Sequence, residues 1–181
     1  MRRITVFGGS QMQPGSRDFE QAERLGSLLA QDGFTVQTGG YIGAMEAVSR
    51  GANQAGGQVI GMTCDQIEAW RPVKHNAWVM EEKRFPTLRL RLFALIEESD
   101  AALALPGGIG TLAEVAEMWS HMQSQAIPQR PLILIGAGWK TVIDTFWSTM
   151  DIYILEQYRE LLTFAPDVDS AVRLLKTALG N

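Results

Sequence analysis

The stretch of this 181-residue chain with the clearest chemical potential is Leu105-Pro106-Gly107-Gly108-Ile109-Gly110-Thr111-Leu112-Ala113-Glu114. An apolar run, residues 101–105, ends in three closely spaced glycines, and a helical pattern is predicted from Thr111. Glycines at such a junction let a ligand approach the backbone closely. The unpaired N–H groups of the first helical turn point at that ligand, and the helix dipole favours an anion such as phosphate. Glu114 lies one turn into the helix, close to the same anion, and Glu117 follows three residues later on the same face. On composition alone, Glu114 suits two roles equally: a carboxylate that complements the dipole, or a catalytic one.

Two further glycine clusters fall where apolar runs end: Gly8-Gly9-Ser10, and Gly39-Gly40-Tyr41-Ile42-Gly43. Neither is a GxGxxG dinucleotide fingerprint or a P-loop with its Gly-Lys-Ser/Thr, so hydride transfer and ATP hydrolysis lack their usual residues. His75 and His121 show no metal-ligand spacing, and no metal site is expected. Cys64 has no neighbouring His and reads as a partly buried thiol. Trp70, Trp78, Trp119, Trp139 and Trp147 read as core or interface residues, with Trp119 also a candidate for stacking on a base. Arg84 and Arg89 read as a solvated basic face.

The elements that must hold these residues alternate strand and helix. Strands are expected at residues 3–7, 34–38, 58–62, 101–105, 132–135 and 161–164, with a short one at 77–80. Asp18 and Gln21 suggest a capping box for a first helix whose inward face is Phe19, Ala22, Leu25, Leu28 and Leu29, ended by Gly33. Helices follow at 43–55, 87–98 (Leu88, Leu92, Leu95 and Ile96 inward), 111–123, 140–150 and 168–179. Residues 63–76 read as a loop. The alternation predicts a Rossmann-like, doubly wound parallel sheet in a three-layer αβα sandwich, with residues 1–181 forming one domain. In such sheets ligands sit beyond the carboxyl ends of the strands, where all three glycine clusters fall.

The bulk properties narrow the partners. A net charge of −4 lacks the basic footprint of a nucleic-acid binder. Apolar residues make up 46% of the chain and charged residues 20%, as in an ordinary globular protein. The segment Met1-Arg2-Arg3-Ile4-Thr5-Val6 has no signal-peptide h-region, and no run is long enough to span a membrane. One cysteine fits a reducing, cytoplasmic setting.

The pair Gly39-Gly40-Tyr41-Ile42-Gly43-Ala44-Met45-Glu46-Ala47 and Pro106-Gly107-Gly108-Ile109-Gly110-Thr111-Leu112-Ala113-Glu114 resembles the "Lonely guy" (LOG) family. Its members are nucleoside 5′-monophosphate phosphoribohydrolases that release cytokinin bases, and relatives were once labelled lysine decarboxylases. The resemblance runs from Val6 to about Ile135. It implies that Arg91 and Glu114 are catalytic and that a nucleoside monophosphate or related phosphorylated ligand binds at Gly8, Gly9, Ser10, Gly39, Gly40, Gly43, Gly107, Gly108, Gly110 and Thr111. It implies hydrolysis of an N-glycosidic bond with neither metal nor organic cofactor, in a homodimer or higher homo-oligomer; an isologous patch often lies beside the site, so helices 87–98 and 111–123 are expected to meet the partner. The chain departs from the family pattern at Leu92, usually Lys, at Gly9, usually Ser, and at Ala113, often acidic. The same superfamily holds a molybdenum-cofactor carrier, so a non-catalytic carrier or sensor of a nucleotide-like ligand stands as the second reading.

Overall fold

Seven parallel strands form a single sheet, and the computed structural model describes residues 1–180 of it and its helices. The strands are β1 (Arg3–Phe7), β2 (Thr35–Thr38), β3 (Val59–Cys64), β4 (Glu81–Phe85), β5 (Ala101–Ala104), β6 (Leu132–Ile135) and β7 (Thr163–Ala165). The helices are α1 (Arg17–Gln31), α2 (Ala44–Gln54), α3 (Asp65–Trp70), α4 (Leu88–Glu97), α5 (Ile109–Gln123), α6 (Ala137–Thr149), α7 (Glu156–Arg159) and α8 (Val168–Leu179). The spatial order β4-β3-β2-β1-β5-β6-β7 is that of a Rossmann-like, doubly wound α/β fold.

The interior strands are buried on both faces and mostly apolar, with Thr5, Gln37, Thr38 and Thr63 as buried polar exceptions. In β1, Ile4 and Val6 pack with Phe19, Leu25, Ala47 and Val172 of α1, α2 and α8. Phe7 points to the other face, among Leu95, Val115, Met118 and Ile143 of α4, α5 and α6. Neighbouring β5 splits in the same way, with Leu103 on the first face and Ala102 and Ala104 on the second. The chain reverses its direction of winding between β1, which pairs with β2 on one side, and β5 on the other. That reversal brings the loops after β1 and β5 side by side.

Several expectations need correcting. Ser16, not Asp18, caps α1: its hydroxyl accepts the Phe19 N–H at 3.2 Å. Within the expected loop 63–76 lies α3, a helix with no buried residue and hence no apolar periodicity. The edge strand next to it is β4, not residues 77–80; its sequence Glu81-Glu82-Lys83-Arg84-Phe85 is charged, as suits an exposed sheet edge. Helix α5 begins at Ile109 with Gly108 as its N-cap, so Thr111 stands inside the first turn. Leu88, expected inward, is 49% exposed, whereas Arg91 occupies the inward position at 6%.

Candidate functional site

A cavity of about 1010 Å³ opens at the carboxyl ends of β1, β3 and β5. One wall is backbone. The Gly9 N–H donates to the Pro106 carbonyl at 3.0 Å and the Gly9 carbonyl accepts the Ala44 N–H at 2.9 Å, so the loop after β1 is stitched to the loop after β5 and to the start of α2. This stitching needs close approach: a Cβ on Gly107 would press on the Thr111 side chain and lie 2.9 Å from the Gly9 nitrogen. Gly108 and Gly110 differ, because a Cβ there meets no protein atom within 4 Å. Both line the cavity, together with Gly8, Gly9, Ser10, Gly107 and Thr111. The first-turn N–H groups of α5 have no intrahelical acceptors, and the positive end of the helix dipole is beside them. That combination suits an anion.

Gly39, Gly40 and Gly43 are absent from the cavity lining, although Tyr41 and Met45 from the same segment are on it. The structure gives Gly39 a different task. A Cβ at Gly39 would overlap the Arg91 guanidinium, so glycine makes room for that side chain. Arg91 reaches from α4 under the sheet ends, where Nε donates to the Met62 carbonyl at 2.6 Å and Nη2 to the Gly39 carbonyl at 3.1 Å. Its guanidinium carbon lies 5.7 Å from the centre of the Tyr41 ring, a cation–π distance. Burial pulls the guanidinium below its ordinary pKa, opposed chiefly by the charge of Glu114, yet an arginine remains protonated at neutral pH.

Glu114 faces the same cavity from α5. It is partly exposed because it fronts that opening, while protein surrounds it elsewhere. Burial pushes its carboxyl from 4.5 up to about 7, and the Arg91 charge, which acts downward, does not cancel the rise. A carboxyl that titrates near neutral pH beside a fixed cation and an anion-binding loop is suited to proton transfer or to charge stabilisation. The cost appears in folding. Between pH 4.5 and 7 the folded state binds more protons at Glu114 than the unfolded chain, so stability falls as pH rises through that window. Glu114→Gln is therefore expected to stabilise the protein by about 2–3 kcal/mol at pH 8 and by almost nothing at pH 4.5. Thermal melts of both proteins at the two pH values check this; a melting-temperature difference independent of pH would contradict it.

Trp119 does not reach the cavity. It is buried, donates Nε1–H to the Tyr158 carbonyl at 2.7 Å, and packs edge-on against Phe146 and Trp147. The aromatics on the cavity wall are Tyr41 and, from α3, Trp70. The place of Trp70 is hidden in the sequence because α3 buries no residue and so leaves no apolar periodicity; the local signal is a Trp in a largely polar stretch. Cys64 is fully buried and unpaired. Arg84 pairs with Asp65 and Glu68 on α3, and Arg89 is exposed. Leu92 and Ala113 both lie on the cavity wall and make it less polar. Among the described residues, no group of three or more His, Cys, Asp or Glu is arranged to hold a metal, and no helix is long and apolar enough to cross a membrane.

The family model described as "Possible lysine decarboxylase" matches residues 45–175, which include both Arg91 and Glu114. A "Probable cytokinin riboside 5′-monophosphate phosphoribohydrolase" of Oryza sativa subsp. japonica is 30% identical over 178 residues, 97% of this chain and 78% of that protein. The chain belongs to the LOG family. A bacterial LOG relative, the cytokinin riboside 5′-monophosphate phosphoribohydrolase of Rhodococcoides fascians, is 28% identical over 138 residues, 75% of this chain and 68% of the relative. In three dimensions this LOG chain is similar to the molybdenum cofactor binding protein of Rippkaea orientalis. The TM-score is 0.77 and the identity 26%, covering 98% of this chain and 97% of the other.

Proposed function

We propose that this protein is a nucleoside 5′-monophosphate phosphoribohydrolase, a single nucleotide-binding domain that releases a free base and ribose 5-phosphate. The observation that carries the proposal is that Arg91 and Glu114, 23 positions apart in sequence, face one cavity beside the anion-suited start of α5. The loop at 107–111 and the loop at 8–10 hold the 5′-phosphate. The ribose then lies toward Glu114. As the glycosidic bond breaks, positive charge develops on the sugar ring, and the Glu114 carboxylate stabilises it and activates the water that attacks C1′. Arg91 anchors the substrate and favours the ionised form of Glu114.

The second reading is a carrier or sensor of a nucleotide-like ligand, and the likeness to a molybdenum cofactor binding protein supports it. What favours turnover is Glu114 itself. An anion carrier gains nothing from burying a carboxyl next to its anion loop at a cost to stability, whereas a catalyst does. The decisive experiment is incubation of the wild-type protein with a panel of nucleoside 5′-monophosphates, with free base and ribose 5-phosphate quantified; binding without release supports the carrier.

We further propose a cytoplasmic homodimer joined through α4 and α5, near the cavity. Leu88 and Leu90 of α4 and Ile109 and Leu112 of α5 are exposed, and pairing would cover them. Light scattering at micromolar concentration is expected to give twice the chain mass; a monomer would contradict it.

A further inference from the structure

Helix α3 has no buried residue, so its position is set by polar ties. At its start the Tyr41 hydroxyl accepts the Cys64 N–H at 2.7 Å. Along its length, Arg84 Nε donates to Asp65 at 2.6 Å, Arg84 Nη2 lies 2.8 Å from Glu68, and the Gln66 side-chain oxygen accepts the Leu88 N–H at 2.8 Å. Beyond its end, Asn76, itself buried, closes the segment: its backbone N–H and its side-chain Nδ2 both donate to the Gly40 carbonyl, and Nδ2 also donates to that of Tyr41. The loop after β2 therefore grips both ends of residues 64–76. The acidic and amide side chains of α3 are tied to β4 and α4, and Ile67 and Trp70 line the cavity.

Trp70 is 80% exposed and its ring packs in neither apolar core. A large indole displayed at the wall of the cavity offers a flat apolar face suited to stacking. Ile67 and Trp70 of α3 line the same cavity as the 107–111 loop. We propose that Trp70 is the base-recognition residue, stacking its indole on the planar heterocyclic base of the bound nucleotide. This rests on the nucleotide reading above and names a contact that the phosphate loop, Arg91 and Glu114 do not provide. Stacking accepts any flat aromatic base, so Trp70 favours nucleotides over sugar phosphates without choosing among bases.

The test is calorimetric titration with adenosine 5′-monophosphate and, separately, with ribose 5-phosphate. It uses the Glu114→Gln protein so that hydrolysis does not consume the probe. Adding Trp70→Ala is expected to weaken adenosine monophosphate binding by about tenfold or more and to leave ribose 5-phosphate within about twofold. Adding Trp70→Phe instead is expected to retain most of the nucleotide affinity. Unchanged nucleotide affinity in the Trp70→Ala protein overturns the stack, and so does an equal loss for both ligands, which would mark a structural role. A protein that binds ribose 5-phosphate but no nucleotide, even with Trp70 present, overturns the nucleotide reading itself and the stack with it.

Discussion

Glu114→Gln is expected to lower kcat by about 10²–10³ while nucleotide affinity stays within a few-fold of wild type. The substitution keeps size and hydrogen-bonding shape and removes the negative charge. In the ground state the sugar carries no positive charge, so little binding is lost. In the transition state it does, and stabilisation that exists mainly there is lost from kcat. Loss of one such electrostatic contribution costs about 10²–10³ in rate. In the proposed mechanism the ionised carboxylate is the active form, and burial pushes its pKa up to about 7 in the free protein. The wild-type kcat/KM is therefore expected to rise with pH on an acidic limb near 7, and that limb is expected to vanish in Glu114→Gln. An undiminished rate in the variant removes Glu114 from the chemistry. Arg91→Ala is a less clean probe, because it also deprives the Met62 and Gly39 carbonyls of a buried donor.

Gly110→Val is expected to leave the protein folded and to weaken nucleotide binding by about 100-fold or more. A Cβ at this position meets no protein atom within 4 Å, and the backbone there is not left-handed, so the valine costs the fold little. Gly110 lines the cavity in the first turn of α5, so the valine methyls are expected to crowd an anion held there. A phosphate held off those groups loses charge-assisted hydrogen bonds, each worth about 1.5–3 kcal/mol. Gly108→Val should act in the same direction. Gly107 is the wrong place for this test, since its Cβ would meet Thr111 and the Gly9 backbone and disturb the loop itself. Calorimetry with adenosine monophosphate, alongside circular dichroism, checks the expectation; full affinity in a folded Gly110→Val protein would move the phosphate elsewhere.

The parts of this molecule that were legible in its sequence are those where the signal is local. The stretch from Leu105 to Glu114 carries its strand end, glycines and helix start in ten consecutive residues, and the continuous apolar runs of β5 and β6 announce burial on both faces. What was not legible depends on tertiary contact. Helix α4 is apolar nearly all round, so spacing did not show that Arg91, rather than Leu88, turns inward. Gly39 looked like part of a ligand loop, and its task of admitting Arg91 comes from a residue 52 positions away. The edge elements α3 and β4 escaped because neither buries an apolar stripe; they are held by ion pairs and hydrogen bonds that leave no periodic trace. The base-stacking candidate moved from Trp119 to Trp70 for the same reason. A tryptophan in an amphipathic helix looks like a ligand contact as easily as a core residue, and only the fold tells them apart.

The proposed activity of this cavity is breakage of an N-glycosidic bond. The most direct measurement is chromatographic quantification of free adenine and ribose 5-phosphate after the wild-type protein has been incubated with adenosine 5′-monophosphate and, in parallel, with an N6-substituted analogue. The expected result is equimolar base and ribose 5-phosphate from at least one of the two, over many turnovers, with release abolished or reduced by about 10²–10³ in Glu114→Gln. Saturable binding of both nucleotides with no base released from either would contradict the claim and leave a carrier in its place.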